Sequence, residues 1–245
     1  GGRKKTNDPM EAIETPSSWF FFGQVFGFSG LAVLGHLTFH MPYWQTLIAV
    51  VISFALALVA CRVTGETDTT PVGAMGKITQ LTFGAISPGN MNVNLMSANI
   101  TAASAGASAD LLTDLKSGYL LGAHPRKQFL AQFAGIFVGS LVPVICFNIL
   151  VPNASVLGGD QFPAPAAQTW KAVAEALSRG LSSLESVKVN LIIIGGLVGI
   201  ILPLLSKVMP SKAKWIPSPA GLGLAWTFHW FYGLLFFLGA LISAW

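Results

Sequence analysis

The chain has 245 residues, 53% of them hydrophobic and only 10% charged, with a formal net charge of +4 and a mean hydropathy of +0.64. Soluble domains carry about a quarter charged residues, so the composition excludes a water-soluble globule, and the small, scattered positive excess argues against a nucleic-acid binder. Several uninterrupted apolar runs approach the ~20 residues that cross a bilayer as a helix, unlike the alternating ~10-residue segments of a membrane barrel. The predicted class is an all-α, polytopic membrane protein.

Residues 1–17 are polar, cluster Arg3, Lys4 and Lys5, and read as a cytoplasmic arm or linker. The Gly1-Gly2 start, without Met, reads as a processed, tagged or excised chain. The first apolar segment covers 18–39, with Trp19 and a Phe run as an interfacial anchor and Gly23-x-x-x-Gly27 as a site of close helix approach. His36 and His40 are four apart near its end. They would share a helix face and bind a metal or proton, or else form an interfacial pair, since no third ligand is near in sequence. The second segment runs over 42–61, with Arg62 as its expected cap.

Residues 64–127 break the pattern, being rich in Gly, Ala, Asn, Ser and Thr, with Glu66, Asp68, Asp110 and Asp114 against Lys77, Lys116, Arg126 and Lys127. Pro71, Pro88 and several glycines interrupt a continuous helix. Broken backbone at membrane depth is tolerated only where it is buried in protein or lines a cavity. Two broken or re-entrant crossings lining a path are therefore expected between 71 and 121.

Further apolar segments cover 129–151 (with Pro143 inside), 187–205 and 216–245, the last long enough to tilt or to break at Pro217-Ser218-Pro219. Between them, 152–186 is a polar loop. It carries the sequon Asn153-Ala154-Ser155, and its part 168–184 has the pattern of an interfacial amphipathic helix. Basic residues fall at every second loop. That places the N-terminus in the cytoplasm and the 152–186 loop outside, for about seven crossings in all, each near the length that a bilayer requires.

The motifs for soluble chemistry are missing. Gly73-x-x-Gly76-Lys77 does not have the phosphate-loop spacing, and neither H-E-x-x-H nor G-x-S-x-G occurs. Cys61 and Cys146 lie in or beside apolar runs and read as small apolar fillers. Ion-coupled transport or a channel fits better than an enzyme. Asp110 and Asp114, four apart, would share a helix face with Lys116 close by. If buried, they would repel each other and retain a proton, as a coupling site requires. The alternative is a solvated helix face at the membrane surface. Glu66 and Asp68 read as loop or helix cap. Asn90, Asn92, Asn94 and Asn99, with Thr101 and Ser104, offer donors and acceptors to a ligand or to the broken helix itself.

The segments E-T-D-T-T-P (66–71), P-G-N-M-N-V-N-L-M-S-A-N-I-T (88–101) and A-D-L-L-T-D-L-K-S-G-Y-L-L-G-A-H-P-R-K-Q-F (109–129) closely resemble the oligopeptide transporter superfamily in its prokaryotic form. The D-L-x-x-D-x-K-x-G-Y core (110–119) with Pro125-Arg126 is also similar to the yellow-stripe branch that moves metal chelates. The resemblance implies a secondary transporter of small peptides or metal–chelate complexes, importing by alternating access. It further implies a prokaryotic cytoplasmic membrane, no resident cofactor and protons as the coupling ion. Asn90, Asn92, Asn94, Asn99, Thr101 and Ser104 are the expected substrate-binding residues. Asp110, Asp114 and Lys116 would couple protons or brace the helices. Family members are usually more than twice as long and carry these motifs in their second half, so residues 18–245 read as a C-terminal half. Its partner would be an N-terminal half, with a homodimer mate as the alternative for completing the site. A channel or a non-transporting membrane scaffold is the rival reading. An aspartyl dyad ranks last, because two aspartates on one helix are unlike the two-helix arrangement that such chemistry uses.

Overall fold

A computed structural model describes residues 13–159, 162–179, 185–227 and 230–243. Most of the expected arm, including Arg3, Lys4 and Lys5, lies outside the described residues, as do the end of the 168–184 segment and the last two positions. The chain forms helices α1 (Ser17–Phe39), α2 (Tyr43–Thr67), α3 (Val72–Ile86), α4 (Met91–Leu120), α5 (Pro125–Leu150), α6 (Pro165–Ser178), α7 (Ser186–Val208), α8 (Pro219–Thr227) and α9 (Trp230–Ser243). Among the described residues there is no strand, only an isolated bridge between Leu157 and Phe162. Helices α1, α2, α5 and α7 are each long and apolar enough to cross a membrane. The protein is an all-α, multi-pass integral membrane protein.

Local chemistry sets the helix ends. The apolar run of α1 stops at His40, whose φ of 54° is left-handed and whose N–H donates to the Gly35 and His36 carbonyls. Pro42 then leads into α2. Arg62 does not cap α2 as expected. The helix continues to Thr67, with the Arg62 guanidinium 3.0 Å from Glu66 one turn on, and ends at Asp68, also left-handed with φ 54°. The expected interruption falls at 87–90, where Gly89 takes φ 85° and the Asn90 side chain accepts from the Val93 N–H at 3.1 Å to start α4. Beyond it the second crossing is unbroken. Helix α4 runs without interruption for 30 residues, because Ala favours helix and the hydroxyls of Ser97, Thr101, Thr113 and Ser117 donate back to carbonyls of their own helix. The last apolar segment does break after Pro217-Ser218, with α8 starting at Pro219.

The core is a three-helix unit. Met41, Ala49, Phe83, Val93 and Ile100 form one apolar cluster, and Leu56, Ala60, Met75 and Ala105 form a second. Ascending numbers on α2 and α4 meet descending numbers on α3, so α3 runs antiparallel to both. Small residues on α4 (Ser97, Ala98, Ala102, Ala105 and Ala109 are all buried) permit that close approach. By contrast α5 and α7 bury no described residue, and their Phe, Ile, Leu and Val side chains point outward. Such a surface belongs against lipid or further protein.

Helix α6 departs from the surface position expected for it. Its apolar face is packed on α3 and α4, with Ala174 and Leu177 buried. A Cβ on Gly76 would run into the Trp170 indole, and one on Gly84 would stand 3.1 Å from the Leu177 Cβ. Trp170 and Leu177 thus sit in two glycine notches, and α6 runs parallel to α3.

Candidate functional site

The polar residues of α4 divide between two faces. Asn94, Ser97 and Thr101 are buried and form a seam with α3. The Asn94 Nδ2 donates to the Gln80 carbonyl at 2.7 Å, and the Thr79 and Thr101 hydroxyls meet at 2.7 Å. Gln80, wholly buried, donates through Nε2 to the Trp170 carbonyl of α6 at 3.0 Å. Carbonyls only accept, so these contacts fix which end of each amide is nitrogen. The amide oxygens of Gln80 and Asn94 are left buried without a donor, where an unmade hydrogen bond costs about 1–3 kcal/mol.

Asn92, Asn99, Asp110 and Asp114 are exposed and fall within one stripe along the opposite side of α4, at the 3.6-residue period. Asn90 is the α4 cap, and Ser104 is half-buried beside the seam. The expected binding residues therefore do not converge on one point. Asn94 and Thr101 are in the seam, while Asn92 and Asn99 are on the open stripe.

The charged motif lies at the end of the unit. Ala105 is level with Ala60 in the second cluster, just before α2 leaves its apolar run at Arg62. Asp110 and Asp114 are about 7 and 13 Å further along the helix axis at 1.5 Å per residue. Both are exposed, so among the described residues the two aspartates do not make a buried pair. Asp114 is instead held by α5, accepting from Gln128 at its main-chain carbonyl and from Gln132 at its carboxylate. Gly118, where a Cβ would overlap the Gln128 side chain, gives α5 room for this contact. The Lys116 ammonium stands 5.7 Å from the centre of the Tyr119 ring. Lys116 also lines a cavity of about 950 Å³ with Thr64, Asp68, Thr113 and Ser117, closed on its far side by α8 and α9. Glu66 borders the same cavity and accepts from Ser218 at 3.3 Å. The 66–71 motif is thus the last turn of α2, its cap and a cavity wall.

His36 stacks on Tyr43 with ring centres 4.6 Å apart and contacts the Met41 carbonyl through Nδ1 at 3.3 Å. Among the described residues no group of His, Cys, Asp and Glu gathers to hold a metal. Gln80, Thr79 and Trp170 were not singled out from sequence. One signal was available: Gly76-x-x-x-Gln80-x-x-x-Gly84 places an amide between two small residues on one helix face, the pattern of a tight, hydrogen-bonded helix contact.

A multi-pass helical unit with polar residues inside and along one open face defines the class of an integral membrane protein. Residues 4–245 match the family model described as OPT oligopeptide transporter protein, and the chain belongs to that family, one of transporters and not of enzymes. It is 38% identical over 138 residues to a putative oligopeptide transporter of Saccharomyces cerevisiae, covering 53% of this chain and 18% of that protein. It is 27% identical over 207 residues to a probable metal-nicotianamine transporter of Oryza sativa subsp. japonica, covering 82% of this chain and 29% of the relative. Over 217 residues it is 27% identical to another of that description from Arabidopsis thaliana, covering 84% and 30%. The chain spans less than a third of the length of each of these relatives.

Proposed function

We propose that this chain is the path-lining part of a secondary transporter that imports small peptides or metal chelates, coupled to protons, by alternating access. The observation that carries the reading is the open stripe of α4. Asparagine and aspartate side chains facing hydrocarbon are costly, so such a stripe in a membrane helix faces water or protein. The stripe lies opposite the α2–α3 packing; α5 meets it at Asp114, and the described helices leave Asn92, Asn99 and Asp110 exposed. A segment corresponding to the rest of the longer relatives would close it and complete a conduit. In this reading Asn92 and Asn99 contact substrate from the stripe, with Asn90 at its entrance and Asn94, Thr101 and Ser104 behind it. Asp110, which has no side-chain partner among the described residues, carries the proton. Asp114 braces α4 on α5, and Lys116 faces the cavity beside the end of α2. The N-terminus lies in the cytoplasm of a prokaryotic cell, following the basic loops.

Reconstitution tests this. Uptake of radiolabelled trialanine or nickel–nicotianamine into proteoliposomes is expected to rise with an inward proton gradient. Asp110→Asn should abolish the gradient response while leaving substrate exchange at equal pH. Conductance without saturation would favour a channel, and gradient-driven uptake that survives Asp110→Asn would remove the coupling role.

A further inference from the structure

We infer that α6 is a lid over a covered binding site in the α3–α4 seam, one that takes a group presenting N–H donors; the inference rests on the transport reading above. Three observations meet here. First, the buried oxygens of Gln80 and Asn94 have no donor, while the nitrogens of the same amides are committed to the Trp170 and Gln80 carbonyls. What the seam lacks is hydrogen-bond donors. An ammonium or amide group supplies them, and an isolated carboxylate does not.

Second, the cover is shape-fitted. Trp170 and Leu177 occupy the notches at Gly76 and Gly84, and the Gln80–Trp170 hydrogen bond ties an α3 side chain to the α6 main chain. Third, α6 lies on α3 and α4 alone among the helices with extensive contacts to it, so it can leave without dismantling the α2–α4 core.

With α6 docked, the Gln80 and Asn94 oxygens are buried without a donor, which weakens the closed state. A ligand that donates to them binds the uncovered seam better than the covered one and shifts the balance toward opening. Gln80 is the switch residue in this arrangement: its nitrogen holds the lid and its oxygen is free for the entrant.

The test uses the whole protein in its native membrane, with Cys61→Ala and Cys146→Ala as background. Asn94→Cys, which leaves the Gln80–Trp170 bond in place, should react slowly with a membrane-impermeant maleimide, more slowly than an Asn99→Cys control, and at least about tenfold faster once Trp170→Ala frees the lid. Equal rates at 94 and 99, or no response to Trp170→Ala, would overturn the lid. In parallel, Gly84→Cys with Leu177→Cys places two Cβ atoms close to the ~3.5–4.5 Å range of a disulfide. Oxidation should stop trialanine uptake and reductant should restore it, whereas uptake undiminished by the crosslink overturns the proposal. If maleimide access follows Trp170 but no variant or parent takes up substrate, the lid stands and the transport reading falls. For the ligand class, trialanine should compete for uptake about tenfold better than the linear trimer of L-lactic acid, in which oxygen replaces the ammonium and both peptide N–H groups. Equal competition would remove the donor requirement.

Discussion

Asn94 is the residue at which structure and function separate most cleanly. Its nitrogen is satisfied and its oxygen is not, so Asn94→Val exchanges a half-satisfied amide for a hydrocarbon only modestly larger. Thermal unfolding in detergent should shift by no more than about 1 kcal/mol. Trialanine uptake should fall about tenfold or more, as expected when a buried polar contact to substrate is lost. A variant that unfolds instead would make Asn94 a structural residue. Thr79 and Thr101 offer the opposite case. Their hydroxyls meet in the seam, and the cycle Thr79→Val, Thr101→Val and the double variant should give a coupling of about 1 kcal/mol in stability. A zero coupling would mean that each hydroxyl is served by its own helix, through the Met75 carbonyl for Thr79 and the Ala98 carbonyl for Thr101.

Among the elements, those that cross as plain apolar runs were legible from sequence, because length and hydrophobicity alone decide them. Helix α1 begins and ends within a residue of the stretch read for it, and α5 and α7 differ only by a turn at their ends. The charged end of α2 was misjudged because Arg62 reads as a stop, whereas paired with Glu66 it supports another helical turn. The continuity of α4 was hidden for a related reason. Asn, Ser and Thr look like breakers until the Ser and Thr hydroxyls are seen to bond back along their own helix and the Asn94 amide to bond across to α3. The place of α6 was not legible at all, since its tether joins positions 90 residues apart and its amphipathic pattern is equally at home on a lipid surface. The notches make this element testable. Gly76→Val should clash with Trp170 and cost about 1–3 kcal/mol, seen as faster hydrogen exchange of the α6 amides with the α2–α4 core unchanged. Uniformly slow exchange would show that the notch is not needed.

Across the whole molecule, the helices sort into a packed unit of α2, α3, α4 and α6 and an outer set whose large apolar side chains are uncovered. The same sequence signals that announced a membrane protein, few charges and long apolar runs, also account for that outer set. The motif residues lie on the central stretch, and their spacing alone did not assign them to two sides of one helix. The distinction predicts a pattern of solvent access. Cysteines at Asn92, Asn99 and Ala103 should react with aqueous maleimide, and those at Phe137 and Val144 on α5 only with a lipid-soluble reagent. Aqueous reactivity on α5 would place that helix beside the path.

The length of α3 has a consequence for the membrane itself. With 15 residues it spans about 22 Å, against a hydrocarbon layer of about 30 Å. As a membrane crossing it would hold the polar turns at 68–71 and 87–90 inside the two surfaces, and local thinning of the bilayer beside them is the expected accommodation. Any motion that shifts α3 must work against this local deformation. Acyl-chain length thus becomes a variable of turnover, with the optimum displaced toward shorter chains than the outer helices alone would select.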